Sequence, residues 1–117
     1  MDKFSMVTPL TGEYFTTVRL AVGGLCALSG FDMDSTEDFK VCVTECLLIL
    51  KRNGFASASV SLTLGEELAC EIAGEGVSGE KVDTPENEIS LALLSALLGT
   101  VEFVNDSDKV VKIQFKG

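Results

Sequence analysis

The chain has 117 residues, of which 46% are hydrophobic and 23% are charged, and this length predicts one domain, residues 1–117, with its own core. Eighteen acidic residues against nine basic ones give a net charge of −9. A surface this negative repels the phosphates of nucleic acids and of anionic membranes, so we expect neither as a partner.

The first half of the chain predicts a strand followed by two helices. The strand covers 4–8 and stops at Pro9, and the first helix covers 13–28 and ends at Gly30 in a left-handed C-cap. The adjacent pair Gly23 and Gly24 either argues against a helix here or marks a close approach by another element. The core stripe expected on this helix is Tyr14, Val18, Ala21, Val22, Leu25 and Leu28.

The second helix has the clearest pattern in the sequence. Ser35 and Asp38 form a capping-box pattern at its start, and Asn53-Gly54 stops it. Its apolar residues recur at helical spacing, which predicts that one face is buried. The expected core stripe is Phe39, Cys42, Val43, Cys46, Leu47 and Leu50.

The second half predicts two alternating strands, a helix and a closing hairpin. Apolar and polar residues alternate along 59–64 and 68–72, which is typical of a sheet with one buried face. A loop over 74–85 leads to a helix over 86–98, and 101–104 and 110–115 form the hairpin. The core stripe expected on this helix is Ile89, Leu93, Leu94 and Leu97. This order predicts an α+β two-layer sandwich, with a mixed, mostly antiparallel sheet and helices on one face.

The cysteines and the apolar segments bear on metal binding and location. Cys42 and Cys46 stand four apart on one helix face, a spacing that could hold two metal ligands. All four cysteines nevertheless lie in apolar patterns and no Cys-x-x-Cys occurs, so we expect buried thiols and no metal site. The chain opens without a signal-peptide pattern, and its most apolar stretch, 89–98, is about half of the ~20 residues that a membrane span needs. We expect a cytoplasmic protein.

Several segments together resemble one nucleotide-binding family. They are 13–20, 30–31, 37–45, 91–98 and 101–102, in this order and spacing. The chain resembles the anti-sigma-factor serine/threonine kinases, small bacterial members of the histidine-kinase-like ATPase superfamily. The resemblance implies that superfamily's fold, a cytoplasmic bacterial protein and a site for ATP and Mg²⁺.

The resemblance also places the nucleotide site, and the first part of it is a helical acid followed four residues later by Asn. In the family the acid acts on the attacking hydroxyl and the Asn oxygen binds Mg²⁺. Glu45 matches the acid and is the candidate catalytic residue, but Ile49 stands at the Asn position and has no oxygen for a hard cation. A lone carboxylate on a helix is also commonly a solvated or locally hydrogen-bonded residue.

The second part of the family's site is Asp-x-Gly-x-Gly, whose Asp binds the adenine amino group. Gly74 and Gly76 match the glycines and are the candidate cofactor-binding residues, whereas Ile72 stands at the Asp position. Leaving that amino group without its partner costs about 1–3 kcal/mol. Two glycines after a strand are also common in an ordinary turn, and Ile72 equally continues an apolar strand pattern.

The third part is a Gly-x-Gly whose backbone N–H groups hold phosphates at a helix start. This chain has Glu88-Ile89-Ser90 there, and an acidic side chain at that place repels phosphate. Glu86 and Glu88 instead suit the positive end of the helix dipole. All three parts of the site depart from the family in the direction of lost ATP binding.

Three functions follow from these residues. The first is a non-catalytic anti-sigma-like module without ATP or Mg²⁺ that acts by protein contact, its partner being a sigma factor or an anti-sigma antagonist; the resemblance also allows a homodimer. Its partner surface is expected on the first helix and the 4–8 strand, with Arg19 and Lys40 as candidate specificity residues.

The second function is a working ATP-dependent serine kinase with divergent motifs. It would need Mg²⁺ ligands from the acidic loop, and the candidates are Glu75, Glu80 and Asp83. The third is a remodelled apolar pocket, formed around Ile49 and Ile72, for another small molecule.

Overall fold

The computed structural model describes residues 2–76, 79–82, 85–98 and 100–117. Three helices and five strands follow one another along these described residues. They are β1 (Asp2–Pro9), α1 (Gly12–Leu28), α2 (Met33–Arg52), β2 (Ser57–Leu64), β3 (Leu68–Glu75), α3 (Pro85–Leu97), β4 (Val101–Asp106) and β5 (Lys109–Lys116). This is the predicted order, and it gives the predicted α+β sandwich, a fold compatible with the histidine-kinase-like ATPases.

The strands form one sheet in the order β1-β2-β3-β5-β4, and every described pair is antiparallel. The sheet is therefore more regular than the mixed sheet expected from the sequence. Pro9 pairs with Ser57 as the last residue of β1, so the strand ends at the predicted proline. β1 is an edge strand and has a neighbouring strand on one side only. Proline is tolerated there because its missing N–H removes no hydrogen bond on the free side.

The helices cover one face of this sheet, and the core lies between the two layers. α2 is the central helix, since it contacts β2, β3, β5, α1 and α3. The alternation predicted for β2 and β3 is confirmed, because Val60, Leu62, Cys70 and Ile72 all point into the core. All six residues of the stripe predicted for α2 are buried as well.

Both long helices end in the same way. Gly30 and Gly54 follow α1 and α2 with φ of +80° and +93°. In each case the next residue, Phe31 or Phe55, donates its N–H back to a carbonyl in the last helical turn, which is the Schellman arrangement. Glycine adopts this left-handed φ without strain, because it has no Cβ. The two helix ends predicted at Gly30 and Gly54 are confirmed.

The start of α2 differs from the prediction. The helix begins at Met33, and its N-cap is Asp32, whose carboxylate accepts a hydrogen bond from the Ser35 N–H at 2.7 Å. The predicted capping box of Ser35 and Asp38 is therefore wrong, because Ser35 lies inside the first turn. Asp32 was missed because the sequence offers several capping residues in succession and only the backbone decides among them.

The buried faces of α1 and α3 also differ from the prediction. Phe15 belongs to the core of α1, whereas Tyr14 and Leu28 are exposed. On α3 only Ser90 and Leu94 are buried, and the predicted core residues Ile89, Leu93 and Leu97 are exposed. A helix that is apolar nearly all round does not reveal which side packs, because its periodicity is weak.

The four cysteines are buried free thiols, as predicted. Burial raises the pKa of the Cys42 thiol to about 11 and raises the pKa of Cys46 and Cys70 as well. Neutral thiols in such surroundings are unreactive and act as small apolar side chains. In the part of the chain that the structure describes, no helix is both long and apolar enough to cross a membrane.

The Asp32 cap predicts a pH-dependent effect on stability. The Ser35 hydrogen bond holds the pKa of the Asp32 carboxyl below its ordinary value. A depressed pKa stabilises the fold above the unfolded-state pKa, and this contribution is lost as the pH falls through the folded-state pKa. Asp32→Ala should therefore lower the melting temperature at pH 7, and the difference from the wild type should shrink in melts recorded below about pH 4. A constant difference from pH 7 to pH 2 would contradict this role.

Candidate functional site

Glu45, the candidate catalytic acid, lies on α2 where that helix faces α3. It is half-buried, and its Oε2 accepts a hydrogen bond from the Ser90 hydroxyl at 2.5 Å. Ser90 itself is only 1% exposed. The carboxylate is thus held by a partner on another helix, 45 residues away in sequence.

Arg52, which lies on α2 one helical turn beyond Ile49, also contacts Ser90. Its Nη1 donates to the Ser90 hydroxyl oxygen at 2.8 Å and makes a longer contact of 3.4 Å with Asn87 Oδ1. Ser90 therefore accepts from a guanidinium while it donates to a carboxylate. We call Glu45, Ser90 and Arg52 the α2–α3 network, and it fixes α3 against α2 by charge-assisted hydrogen bonds.

Ile49 and Ile72 stand where the resemblance calls for a metal ligand and an adenine anchor. They are 1% and 0% exposed and belong to the hydrophobic core. Ile72 lies on the inner face of the central strand β3, paired with Val60 on one side and Ile113 on the other. Their carbon-only side chains do not fit Mg²⁺ or an adenine amino group, since neither offers an oxygen.

Gly74 and Gly76 lie at the end of β3, but in different surroundings. A Cβ on Gly74 would lie 2.5 Å from the ring of Phe55, so the missing side chain leaves room for this buried aromatic residue. Gly76 is exposed with φ of +80°, and no atom of the described residues lies within 4 Å of where its Cβ would stand. Phe55 thus gives Gly74 a packing role that requires no nucleotide.

Replacing Gly74 tests this packing role. Gly74→Ala should reduce the free energy of unfolding by about 1–3 kcal/mol, because the new methyl group forces the Phe55 ring out of its place. Denaturant unfolding followed by circular dichroism measures the loss. Gly24→Ala is the matched control. A Cβ on Gly24, inside α1, would meet no atom of the described residues within 4 Å, so this variant should be neutral or stabilising by up to about 1 kcal/mol. Equal stability of the two variants would contradict the packing role of Phe55.

The described part of the loop between β3 and α3 is bonded to the end of α2. Gly79 donates its N–H to the Gly54 carbonyl at 2.8 Å, and Val82 donates to the Arg52 carbonyl at 2.7 Å. Residues 79–82 are therefore held against the α2 C-terminus by backbone hydrogen bonds. The ligands considered for a metal, Glu75 and Glu80, are exposed, and Asp83 lies outside the described residues.

A groove of about 530 Å³ separates α1 from α2, and we call it the α1–α2 groove. Glu45 lies at its edge, together with the two candidate specificity residues Arg19 and Lys40. Lys40 is engaged in two ways: its stem covers Gly23, where a Cβ would approach it to 2.8 Å, and its ammonium pairs with Glu37 at 3.3 Å. The close approach predicted at the glycine pair is confirmed at Gly23.

The sequence did not reveal the partners of Glu45. In the sequence, Ser90 falls in the segment that stands at the family's phosphate motif, and no pattern links it to Arg52. Ser90 stands four residues before Leu94, which stands four before Leu98, and all three are buried. This single stripe at spacing four was the available signal, but the many other leucines of α3 obscured it.

Comparison with known proteins supports the predicted resemblance. No protein-family model matches the chain. Proteins named serine-protein kinase RsbW from Bacillus cereus (strain AH187), Bacillus mycoides (strain KBAB4) and Bacillus thuringiensis (strain Al Hakam) are each 24% identical to it. Each match covers 94% of this chain and 82% of the relative. The chain is therefore similar to these serine-protein kinases over nearly its whole length.

Proposed function

From this likeness to the anti-sigma serine kinases, we propose that the chain is a cytoplasmic regulatory relative of them that has lost ATP binding and acts by protein contact. The observation that carries the proposal is the burial of Ile49 and Ile72. At the two positions where a nucleotide needs polar partners, the core continues without interruption. A nucleotide entering there would have to displace packed side chains and would find no hydrogen-bonding partner in either of them.

The α2–α3 network supports the same conclusion. A catalytic carboxylate needs an oxygen within reach of the proton of the attacking hydroxyl. One of the two oxygens of Glu45, Oε2, already accepts the hydrogen bond of Ser90, whose own oxygen accepts from Arg52. The same contacts hold α3 in place, so the helix start that would carry the phosphates is fixed by side chains of the protein itself.

The charge of the protein supports a protein partner. The net charge of −9 attracts basic protein surfaces and speeds their association. A sigma factor, which carries basic DNA-binding regions, or an antagonist that competes with it, is the class of partner that the resemblance implies. Regulation would then depend on binding equilibria between proteins and not on phosphoryl transfer.

One observation favours the second candidate function, a working serine kinase. Glu45 keeps the position of the family's acid and borders the α1–α2 groove, which also contains Arg19 and Lys40. A groove with a carboxylate and two cations could receive a polar substrate. Such a kinase needs ATP beside Glu45, where Ile49 offers no metal ligand, so we rank it second.

Partner binding with and without nucleotide tests the proposal. Sigma factors and antagonist proteins of the same organism are purified and titrated with this protein by interferometry, first without nucleotide and then with ATP and Mg²⁺. We expect at least one to bind, with the same affinity in both conditions. Affinity that depends on ATP, or phosphate transferred to serine of a bound partner, would overturn the proposal in favour of the kinase.

A further inference from the structure

A second cleft lies about two helical turns from the Glu45 contacts, between the start of α2 and the end of α3. It measures about 410 Å³, within the range of ~300–1,000 Å³ typical of ligand clefts. We call it the α2–α3 cleft. Its apolar wall consists of Phe31, Phe39, Leu97 and Leu98, and its polar rim contains Asp32, Ser35 and Asp38.

The apolar wall is firmly supported and yet open to solvent. The rings of Phe31 and Phe39 meet edge to face, with their centroids 5.6 Å apart, and Phe39 packs further on Phe115. Leu97, on the opposite wall, is 37% exposed. A partner would therefore meet a preformed apolar surface and would not have to order it first.

The cleft continues into an exposed apolar face of α3. Leu93 and Ile89 precede Leu97 at intervals of four residues, and Ile89 is 59% exposed. Eight residues of helix extend this face over about 12 Å. A contiguous apolar surface of this kind indicates an interaction site, and its length suits a polypeptide segment better than a small molecule.

The rim gives the cleft a negative charge. The carboxylates of Asp32 and Asp38 are both exposed, and none of the described residues that line the cleft is basic. Asp32 is fixed in position because it accepts the Ser35 N–H as the cap of α2. Two exposed acids beside an apolar wall complement a cation that stands next to an apolar group.

We propose that the α2–α3 cleft docks a segment of a partner protein in which an apolar anchor is flanked by Lys or Arg. This proposal rests on the proposed protein-binding function and adds where the partner binds and with which chemistry. A second copy of the chain fits the cleft less well, because each copy carries a net charge of −9 and the rim would face like charge.

The test uses a synthetic amphipathic peptide of leucine and lysine as the probe, titrated into the ¹⁵N-labelled protein and followed by NMR. We expect the largest shift changes at the residues that line the cleft. Leu97→Ser removes an apolar contact and Asp38→Lys reverses a rim charge, and each should weaken binding about tenfold or more. Circular dichroism verifies that both variants are folded.

Two matched controls separate this cleft from other surfaces. Glu66→Lys reverses an exposed acid in the β2–β3 turn, and Leu20→Ser removes an exposed leucine from the α1–α2 groove. Both should bind the peptide like the wild type. If Leu20→Ser weakens peptide binding and Leu97→Ser does not, the α2–α3 cleft is not the docking site. The proposed protein-binding function would still hold in that case.

Three other results would also overturn the proposal. The first is the absence of peptide binding. The second is equal weakening by Glu66→Lys and Asp38→Lys, which would mean unspecific attraction between charges. The third is a wild-type dimer in sedimentation that Leu97→Ser converts to a monomer, because a second copy would then cover this face.

Discussion

The Ile72→Asp variant, which introduces the residue that the resemblance calls for at this position, should be destabilised by about 3–5 kcal/mol or fail to fold. Ile72 lies on the inner face of the central strand and is completely buried. An aspartate there loses its hydration and meets Val60 and Ile113 across the sheet, which offer no compensating charge. Urea unfolding at pH 7 and pH 4, followed by circular dichroism, measures the loss.

The pH dependence distinguishes a buried charge from a simple packing defect. Burial raises the pKa of the introduced carboxyl in the folded state above its unfolded value of about 3.9. The deficit should therefore be smallest below about pH 4 and increase as the pH rises towards 7. Ile72→Val is the control, with a loss of about 0.5–1.5 kcal/mol that does not depend on pH. An Ile72→Asp variant as stable as the wild type would mean that position 72 borders a hydrated nucleotide pocket.

The Ile49→Asn variant, which introduces the metal ligand that the resemblance calls for, should lose about 2–4 kcal/mol and should not gain Mg²⁺-dependent ATP binding. Burying an amide without partners costs about 1–3 kcal/mol, and the apolar contacts of the isoleucine are lost in addition. Ile49 packs with the core at 1% exposure, although the sequence places it on the side of α2 that carries Glu45. Denaturant unfolding gives the loss, and calorimetry with ATP and Mg²⁺ gives the binding.

A matched control for Ile49→Asn is Val41→Asn, on the same side of α2 but 38% exposed. It should cost less than about 0.5 kcal/mol, the usual limit for surface substitutions. If Ile49→Asn proves as harmless as Val41→Asn and also binds ATP, position 49 belongs to a working metal site, and the kinase becomes the better account.

Much of the fold could be predicted because two periodic patterns dominate it. The stripe on α2 and the alternation along β2 and β3 each leave one face of the element apolar. Because that face must point into the core, the pattern fixes both the type of element and its orientation. Gly30 and Gly54 could be predicted as helix ends because a helix often ends in a left-handed residue, and glycine adopts that conformation most readily. The face of α3 could not be predicted, since Ile89, Leu93 and Leu94 are equally apolar and only the tertiary contacts choose among them.

The positions of the candidate site come from the resemblance, whereas its contacts are seen only in the structure. Glu45, Ile49 and Ile72 could be placed by resemblance, and the alternation of β3 already directed Ile72 to the core. The hydrogen bonds of Glu45 join residues 45 apart in sequence, and no local spacing encodes them. The same holds for Asn53, a buried residue whose Oδ1 accepts the N–H of Val110 on β5 at 2.9 Å.

Under the proposed loss of ATP binding, the contacts between the elements account for a fold that is stable without a nucleotide. The isoleucines at positions 49 and 72 add apolar burial, and the α2–α3 network supplies polar contacts between the two helices. Asn53 and the backbone bonds of residues 79–82 tie the end of α2 to its surroundings. Under the proposed function, the protein retains a kinase-like fold because its surface binds other proteins. Its interior then contributes stability and has no part in nucleotide binding.

Titration of the purified protein with ATP and excess Mg²⁺ by calorimetry, with thermal melts alongside, tests the loss of ATP binding most directly. A protein that binds ATP gains about 2.7 kcal/mol at a hundredfold excess over the Kd. For a domain of this size that gain raises the melting temperature by about 10 °C. We predict no binding heat and no shift. Saturable heat that disappears in Glu45→Ala would contradict the account and identify a working nucleotide site.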